Sequence, residues 1–314
     1  MLTAIIPCHS LNELTEKCIR HNIDFLSNFG VGVILVLNGK RVIKRTVDCG
    51  QKKIIFSKKS GRSLARNAAL DYVNTPFVLF LDADVFLTKF DYNTIKSLVE
   101  NKNFSFFQGV VNPTINKKTN VNLLKLKINE IYQKDTLSGL RRSGVDSCAL
   151  IVSLNQIVSC HFNPRYKRSE DTELLLRSQA KAPTNIFVLE SLGVDKFVDL
   201  NLFSLFKNTT QSIFYDEYAR RVYLKKSRLF EGIKIKCSRF FEHLKANREL
   251  PWQVILLWAV HTIHACLIAI VTRLLLMIIK PKSKILKMKE ITTSNGSYKF
   301  CFNLETYELK LKNR

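Results

Sequence analysis

Phe77-Val78-Leu79-Phe80-Leu81-Asp82-Ala83-Asp84 decides the fold class of this chain. Five apolar residues run without a break into two carboxylates one residue apart. So short and uniformly apolar a run reads as a strand buried on both faces of a sheet. The carboxylates then fall at the strand's carboxyl end, where open α/β sheets hold their ligands. A buried carboxylate without a partner costs several kcal/mol, so the pair asks for a counter-charge. A hard divalent cation, Mn²⁺ or Mg²⁺, bridging to a phosphate would supply it. The competing reading is two acidic residues in a surface turn, and a D-x-D pattern by itself does not separate the two.

The residues around this strand extend the same pattern. Leu2 to Ile6 reads as a first strand ended by Pro7, and Ser10 with Glu13 forms an S-x-x-E capping box for a helix to about Phe25. Val31 to Leu37 is a second apolar strand followed by an Asn38-Gly39 turn, and Ile54 to Phe56 is a short third. Leu64, Ala65, Ala68, Ala69 and Tyr72 at helical spacing predict an amphipathic helix over Arg62 to Val73, which delivers the chain to the central strand. Strands alternating with helices in this way predict an α/β fold with a largely parallel sheet. Downstream, helices are expected over Tyr92 to Glu100 and Val121 to Lys134, and strands over Phe104 to Val111, Asp146 to Val152 and Asn185 to Glu190. Leu137 to Gly144, with Arg141 and Arg142, reads as a mobile loop. Ser169 is the expected N-cap of a helix that begins Glu170-Asp171-Thr172-Glu173.

Charge and cysteine usage narrow the class. The 314 residues carry 49 Lys and Arg against 26 Asp and Glu, a formal charge of +23. Such an excess implies an acidic partner: nucleic acid, an anionic membrane surface or a polyanionic substrate. Eight scattered cysteines without a C-x-x-C pair fit reduced, packing thiols of a cytosolic compartment, not a disulfide framework or zinc site. Met1 leads into Leu2-Thr3-Ala4-Ile5-Ile6 without a basic n-region, so no secretory signal is expected at this start.

After about Leu205 the composition changes. Ten Lys or Arg between Arg220 and Arg248, interleaved with Tyr223, Phe230, Phe240 and Phe241, face only Glu231, Glu242 and Glu249. Val254 to Thr272 then runs for nineteen residues with only His261 and His264 able to carry charge. That is long enough for a bilayer core of about 30 Å. Basic residues flank it on both sides, however, where a span would show asymmetry. The reading is a re-entrant or in-plane helix on the cytoplasmic face, its flanks drawn to anionic lipid, with a single span and a buried core helix as the competitors. Four regions follow: 1–205 as the α/β domain, 206–250 as a basic helical segment, 251–280 as the apolar membrane-associated helix, and 281–314 as a basic tail with hairpin-like alternation from Tyr298.

Two further clusters have chemistry in reach. Glu170 and Asp171 in a first helical turn suit the helix dipole, and Glu173 with Arg177 is a favourable i,i+4 pair. A carboxylate at that position beside a sugar-nucleotide site also suits a general base. Gly61-Arg62-Ser63-Leu64-Ala65-Arg66-Asn67 opens a helix with a glycine and two arginines, which suits an anionic nucleotide, although it is no P-loop. The histidines show no metal-ligand spacing and read as non-catalytic.

Taken in order, these pieces resemble the inverting family 2 glycosyltransferases of GT-A fold over roughly residues 1–205. Ala4-Ile5-Ile6-Pro7-Cys8-His9-Ser10 looks like that family's first strand and nucleotide loop, and Gly61 to Asn67 like its G-x-x-x-A-R-N helix start. Leu79 to Asp84 looks like its D-x-D strand, and Glu170 to Leu174 like its E-D motif. The resemblance implies a Rossmann-like, mixed, mostly parallel sheet flanked by helices, here with a C-terminal helical membrane-associating extension. It implies that Asp84, with Asp82, holds Mn²⁺ or Mg²⁺ and the donor pyrophosphate, that Asp171 is the general base and that Glu170 contacts the acceptor. Pro7, Asn38, Arg66 and Asp82 would line the nucleoside. One departure stands out: acidic residues often follow the second strand in that family, whereas here the turn is Leu37-Asn38-Gly39-Lys40.

The expected activity is transfer of a sugar from a nucleotide sugar, UDP-linked in the first instance, to a glycan or lipid-linked acceptor in surface-polysaccharide synthesis. A second enzyme reading is transfer to a polyprenyl phosphate, for which Arg141 and Arg142 would supply charge. From another class comes a basic membrane- or nucleic-acid-binding protein without catalysis. The positive charge gathers around an apolar segment and no nucleic-acid module is recognisable, so no nucleic-acid partner is expected.

Overall fold

The computed structural model describes residues 1–38, 53–57, 61–101, 106–115, 117–137, 145–166, 168–181, 186–224 and 250–279. It also describes 288–292, 298–304, 307–308 and the isolated positions 233, 237–238 and 240–241. The chain divides into two compact units, Met1–Ile279 and Lys280–Arg314. In the first, β1 (Leu2–Cys8), α1 (Glu13–Ser27), β2 (Gly32–Asn38), β3 (Lys53–Ser57), α2 (Arg62–Leu70) and β4 (Phe77–Leu81) follow one another as expected. Then come β5 (Val85–Phe90), α3 (Tyr92–Asn101), β6 (Phe106–Ile115), α4 (Asn120–Leu137), β7 (Ala149–Ser153), α5 (Leu154–Cys160), α6 (Glu170–Lys181) and β8 (Ile186–Val198). Two long helices close the unit, α7 (Leu202–Leu224) and α8 (Trp252–Ile279).

One eight-stranded sheet, ordered β3-β2-β1-β4-β7-β6-β8-β5, carries this unit. The pairs β1/β2, β1/β4, β2/β3 and β6/β8 are parallel, and β4/β7, β6/β7 and β5/β8 antiparallel. The sheet is therefore mixed and mostly parallel. Val78, Leu79, Phe80 and Leu81 of β4 are all buried. Leu79 and Leu81 face a layer holding Ile19, Ile23 and Leu26 of α1, while Val78 and Phe80 face Ala65 and Ala69 of α2 and Leu174 of α6. Helices on both faces are why the sequence of β4 does not alternate. Each such side chain contributes roughly 1.5–3 kcal/mol relative to exposure. The strand order reverses between β1 and β4, so the crevice beyond their carboxyl ends is the place for a ligand.

Several boundaries differ from expectation for local reasons. Pro7 does not stop β1; it pairs with Val36. The β1/β4 register ends at Ile5, so the missing Pro7 N–H breaks no second ladder. Helix α1 is capped by Asn12, whose side chain accepts from Thr15 N while the Asn12 N–H donates to Thr15 Oγ1, and Ser10 lies outside the box. Ser169 sits at the start of α6 with φ 54, and its carbonyl, not its hydroxyl, accepts the first helical bond from Glu173. Strand β5 was not foreseen. It lies at the sheet edge, where buried Asn22 of α1 donates to Val85 O and accepts from Leu87 N, each at 2.8 Å. A helix side chain thus takes the hydrogen bonds that an open edge would offer to another chain.

Outside the sheet, α4, α7 and α8 share a cluster of Leu124, Leu205, Val254 and Trp258. The expected loop with Arg141 and Arg142 lies outside the described residues. In the second unit, β9 (Met288–Thr292), β10 (Tyr298–Leu304) and β11 (Tyr307–Glu308) form an antiparallel sheet ordered β11-β10-β9, so the alternation read from Tyr298 onward belongs to strands.

Candidate active site

Strand β4 ends at Leu81, and the two carboxylates that follow diverge in environment. Asp82 is buried and gripped from two sides, by Arg66 Nη2 at 2.8 Å on Oδ1 and by Lys196 Nζ at 3.4 Å on Oδ2. Although desolvation opposes its charge, Lys196 and Arg66 outweigh it and hold the Asp82 carboxyl below its usual range. Asp84 is pushed the other way by burial and by the Asp82 charge. Among the described residues its side chain has no ion-pair partner.

Arg66 comes from α2, whose start is set by Gly61. At φ 129 and ψ 138 the Gly61 backbone is open to glycine and strained for any side chain. Its carbonyl accepts Asn38 Nδ2 at 3.0 Å, which ties the start of α2 to the carboxyl end of β2. About one turn into α2, Arg66 has no exposed surface and also donates to Glu170 Oε1 at 2.8 Å. Asn67 exchanges two hydrogen bonds with the Phe162 backbone, at 2.8 and 2.9 Å. The helix start thus binds the segment that leads into α6. Arg66 joins the D-x-D pair to the E-D pair, and its charge is kept by Asp82 and Glu170 against the desolvation that opposes it.

Glu170 is 3% exposed and committed to Arg66. Its neighbour Asp171 is partly exposed, and Ser147 holds it: Ser147 N and Oγ donate to Asp171 Oδ2 at 3.1 and 3.3 Å. Thr172 N donates to its other oxygen at 2.8 Å. Burial, the Glu170 charge and Asp146 push the Asp171 carboxyl up to about 7. Glu173 makes the expected i,i+4 pair with Arg177 at 2.8 Å and is fully buried, with Tyr223 Oη donating to it at 2.7 Å.

Pro7 and Asn38, expected at the nucleoside, are both buried. Among the described residues Asn38 Oδ1 has no hydrogen-bond partner, which leaves a buried acceptor at the carboxyl end of β2. His9 Nδ1 donates to the Asn38 carbonyl at 2.9 Å. Gly39 and Lys40 lie outside the described residues.

Sequence reading missed Lys196 on β8, and Asp146 and Ser147 just before β7. Gln108 of β6 shapes the last pair: its Oε1 accepts the Asp146 N–H at 2.6 Å, and its Nε2 donates to Asp146 O and Ala149 O. Lys196 Nζ lies 3.6 Å from Asp146 Oδ1. Among the described residues Asp82, Asp84, Asp146, Glu170 and Asp171 thus face Arg62, Arg66, Arg168 and Lys196, five carboxylates against four cations. The excess negative charge suits a divalent cation. Among the described residues no three His, Cys, Asp or Glu side chains converge on one point, so such an ion would complete its shell with ligand oxygens and water.

Residues 3–153 match the family model described as Glycosyl transferase family 2. Solved structures of similar shape include glucosyl-3-phosphoglycerate synthase from Mycobacterium tuberculosis in complex with Mn²⁺, UDP-glucose and phosphoglyceric acid. It is 16% identical, with TM-score 0.48, covering 69% of this chain and 79% of that one. Another is S. aureus TarS 1–349 in complex with UDP, 13% identical with TM-score 0.45, covering 98% of both chains. No curated protein matches the chain.

Proposed function

We propose that this chain, whose residues 3–153 match the glycosyl transferase family 2 model, is a glycosyltransferase that uses a nucleotide sugar in a metal-dependent, inverting transfer with Asp171 as base. The observation that carries the proposal is the Arg66 bridge: one wholly buried guanidinium fixes Asp82 of the D-x-D pair and Glu170, the neighbour of Asp171. A site for a diphosphate and a site for a proton acceptor are thereby held at a set separation. That is the requirement of in-line displacement, where the acceptor hydroxyl attacks the anomeric carbon opposite the leaving group.

Each residue then has a task. Asp84, which has no ion-pair partner among the described residues, would hold Mn²⁺ or Mg²⁺, with Asp82 beside it. The ion, when bound, neutralises charge that builds on the departing nucleoside diphosphate. Asp171, near neutral pKa and fixed by Ser147, accepts the hydroxyl proton. Glu170 acts through Arg66, and Arg66 acts on the donor through Asp82, since neither has surface to offer a ligand directly. The free Asn38 Oδ1 accepts a ring N–H of the base, which a uracil supplies and an adenine ring does not.

The acceptor is a glycan or lipid-linked glycan at the cytoplasmic face of a membrane. Helix α8 is long and apolar enough to cross a bilayer. One of its faces is buried through Val254, Trp258, Ala265, Ala269, Thr272 and Leu276. His261 and His264 hydrogen-bond Thr209 and Thr210 of α7 at 2.8 and 3.3 Å. The opposite face exposes Trp252, Leu256, Val260, Ile263, Leu267 and Leu274. A helix with one face on the protein and one free apolar face suits an in-plane position, and basic residues at both ends suit anionic lipid on a single side.

A thermal-shift screen of nucleotide sugars with and without Mn²⁺ tests the donor and metal. One donor is expected to raise the melting temperature in a Mn²⁺-dependent way, and Asp84→Ala to abolish that dependence together with transfer. Wild-type-like transfer by Asp84→Ala would overturn the metal assignment.

A further inference from the structure

Lys196 is a cation to which the mechanism above gives no task. It stands on β8, paired with Val85, the residue directly after Asp84. Its Nζ lies between Asp82 Oδ2 and Asp146 Oδ1, at 3.4 and 3.6 Å, and its field reaches Asp84 as well. The contrast with Arg66 is informative. Arg66 is sealed in the core and meets its carboxylates at 2.8 Å, the separation of a strong charge-assisted hydrogen bond. Lys196 is held at longer range, and its side chain is 26% exposed to the crevice. One cation on Asp82 is fixed; the other is loose and open to a ligand.

We infer that Lys196 is the counter-charge of the D-x-D carboxylates in the free protein and a diphosphate-binding residue once a divalent cation has entered. A cation at Asp84 and the Lys196 ammonium are like charges in one poorly solvated crevice, so each weakens the other's hold. A diphosphate relieves the conflict, because its oxygens pair with both. Metal and diphosphate therefore bind together better than the metal binds alone. A lysine suits this exchange: its ammonium is compact, has three donors and rides on a flexible stem that can leave Asp82 for a phosphate oxygen. The inference rests on the glycosyl-transfer reading and adds a residue that the sequence motifs do not contain.

The test is calorimetric titration of the full chain with Mn²⁺ alone and with Mn²⁺ in the presence of UDP. For wild type, UDP is expected to tighten Mn²⁺ binding by roughly 5- to 150-fold, the usual range of coupling between sites. Lys196→Met is expected to bind Mn²⁺ alone more tightly than wild type and to lose most of the enhancement, whereas Lys196→Arg keeps it. A Lys196→Met protein that binds Mn²⁺ no more tightly and keeps the full enhancement overturns the inference. Should that variant not fold, the wild type decides: Mn²⁺ and UDP binding independently of each other overturns it too. If wild type binds neither Mn²⁺ nor any nucleotide sugar, the glycosyl-transfer reading falls and takes this inference with it.

Discussion

A carboxylate poised near neutrality leaves its mark on both rate and stability. As the proposed base, Asp171 must be ionised to take a proton, so kcat/KM is expected to fall about tenfold per pH unit below about pH 7. Asp171→Asn should lower kcat by roughly 10²–10⁴-fold and erase that acid limb, as a pH profile of transfer would show. The stability effect has the opposite sense. Burial, Glu170 and Asp146 raise this carboxyl above its unfolded value of about 4, so folding favours the protonated form. That contribution is complete below about pH 4 and is lost as pH rises through about 7. Asp171→Asn, which stays neutral, should therefore melt about 2–5 °C higher than wild type at pH 8, with the gain shrinking toward pH 5 in a calorimetric series. At this scale the D-x-D and E-D carboxylates were legible because each pair sits in a compact motif. Lys196, Asp146 and Ser147 were not: strand pairing brings Lys196 to the site, and Gln108 side-chain hydrogen bonds fix the turn that carries Asp146 and Ser147.

Elements were legible where their burial is two-sided or their period regular, as in β4 and α2. They were not where tertiary bonds decide the outcome. Val85–Phe90 is a strand because Asn22 of α1 binds its free edge, and no local pattern announces that. Strand β8 runs on to Val198, beyond the expected Glu190, because β5 and β6 flank its second half. The β6/β8 junction also contains a tight point. A Cβ on Gly109 would come within 2.7 and 2.8 Å of Leu192 Cγ and Cδ2 and 3.1 Å of the Ala149 Cβ. The β6/β8 register shifts at this residue. Gly109→Ala should destabilise the protein by about 1–3 kcal/mol, since Leu192 is itself buried and must repack. Urea unfolding with an unchanged slope would register it as a stability loss without a change of fold.

For the whole molecule, the two faces of α8 make separate predictions. Replacing Leu256, Ile263 and Leu267 by glutamate should abolish co-sedimentation with anionic liposomes, because it puts charge on an apolar surface with no role in packing the unit. Donor hydrolysis in solution should be unchanged, since none of the three touches the crevice residues. Liposome binding equal to wild type would remove the membrane from the proposal. Length and apolar composition made this helix legible in the sequence. They did not indicate that one side would be occupied by α4 and α7, because the residues that meet Val254 and Trp258 lie as far back as Leu124.

That long reach has a bearing on synthesis. A ribosome releases the chain from its amino end, so all eight strands of the large unit are out by Val198, while Trp252 is still to come. Until α8 arrives, Leu124 and Leu205 lack the cover that Val254 and Trp258 give them. The helix that seals the body is also the one that bears the exposed apolar row. A chain broken off before it would carry neither, so under the proposed membrane attachment only copies with this cluster closed would reach a surface.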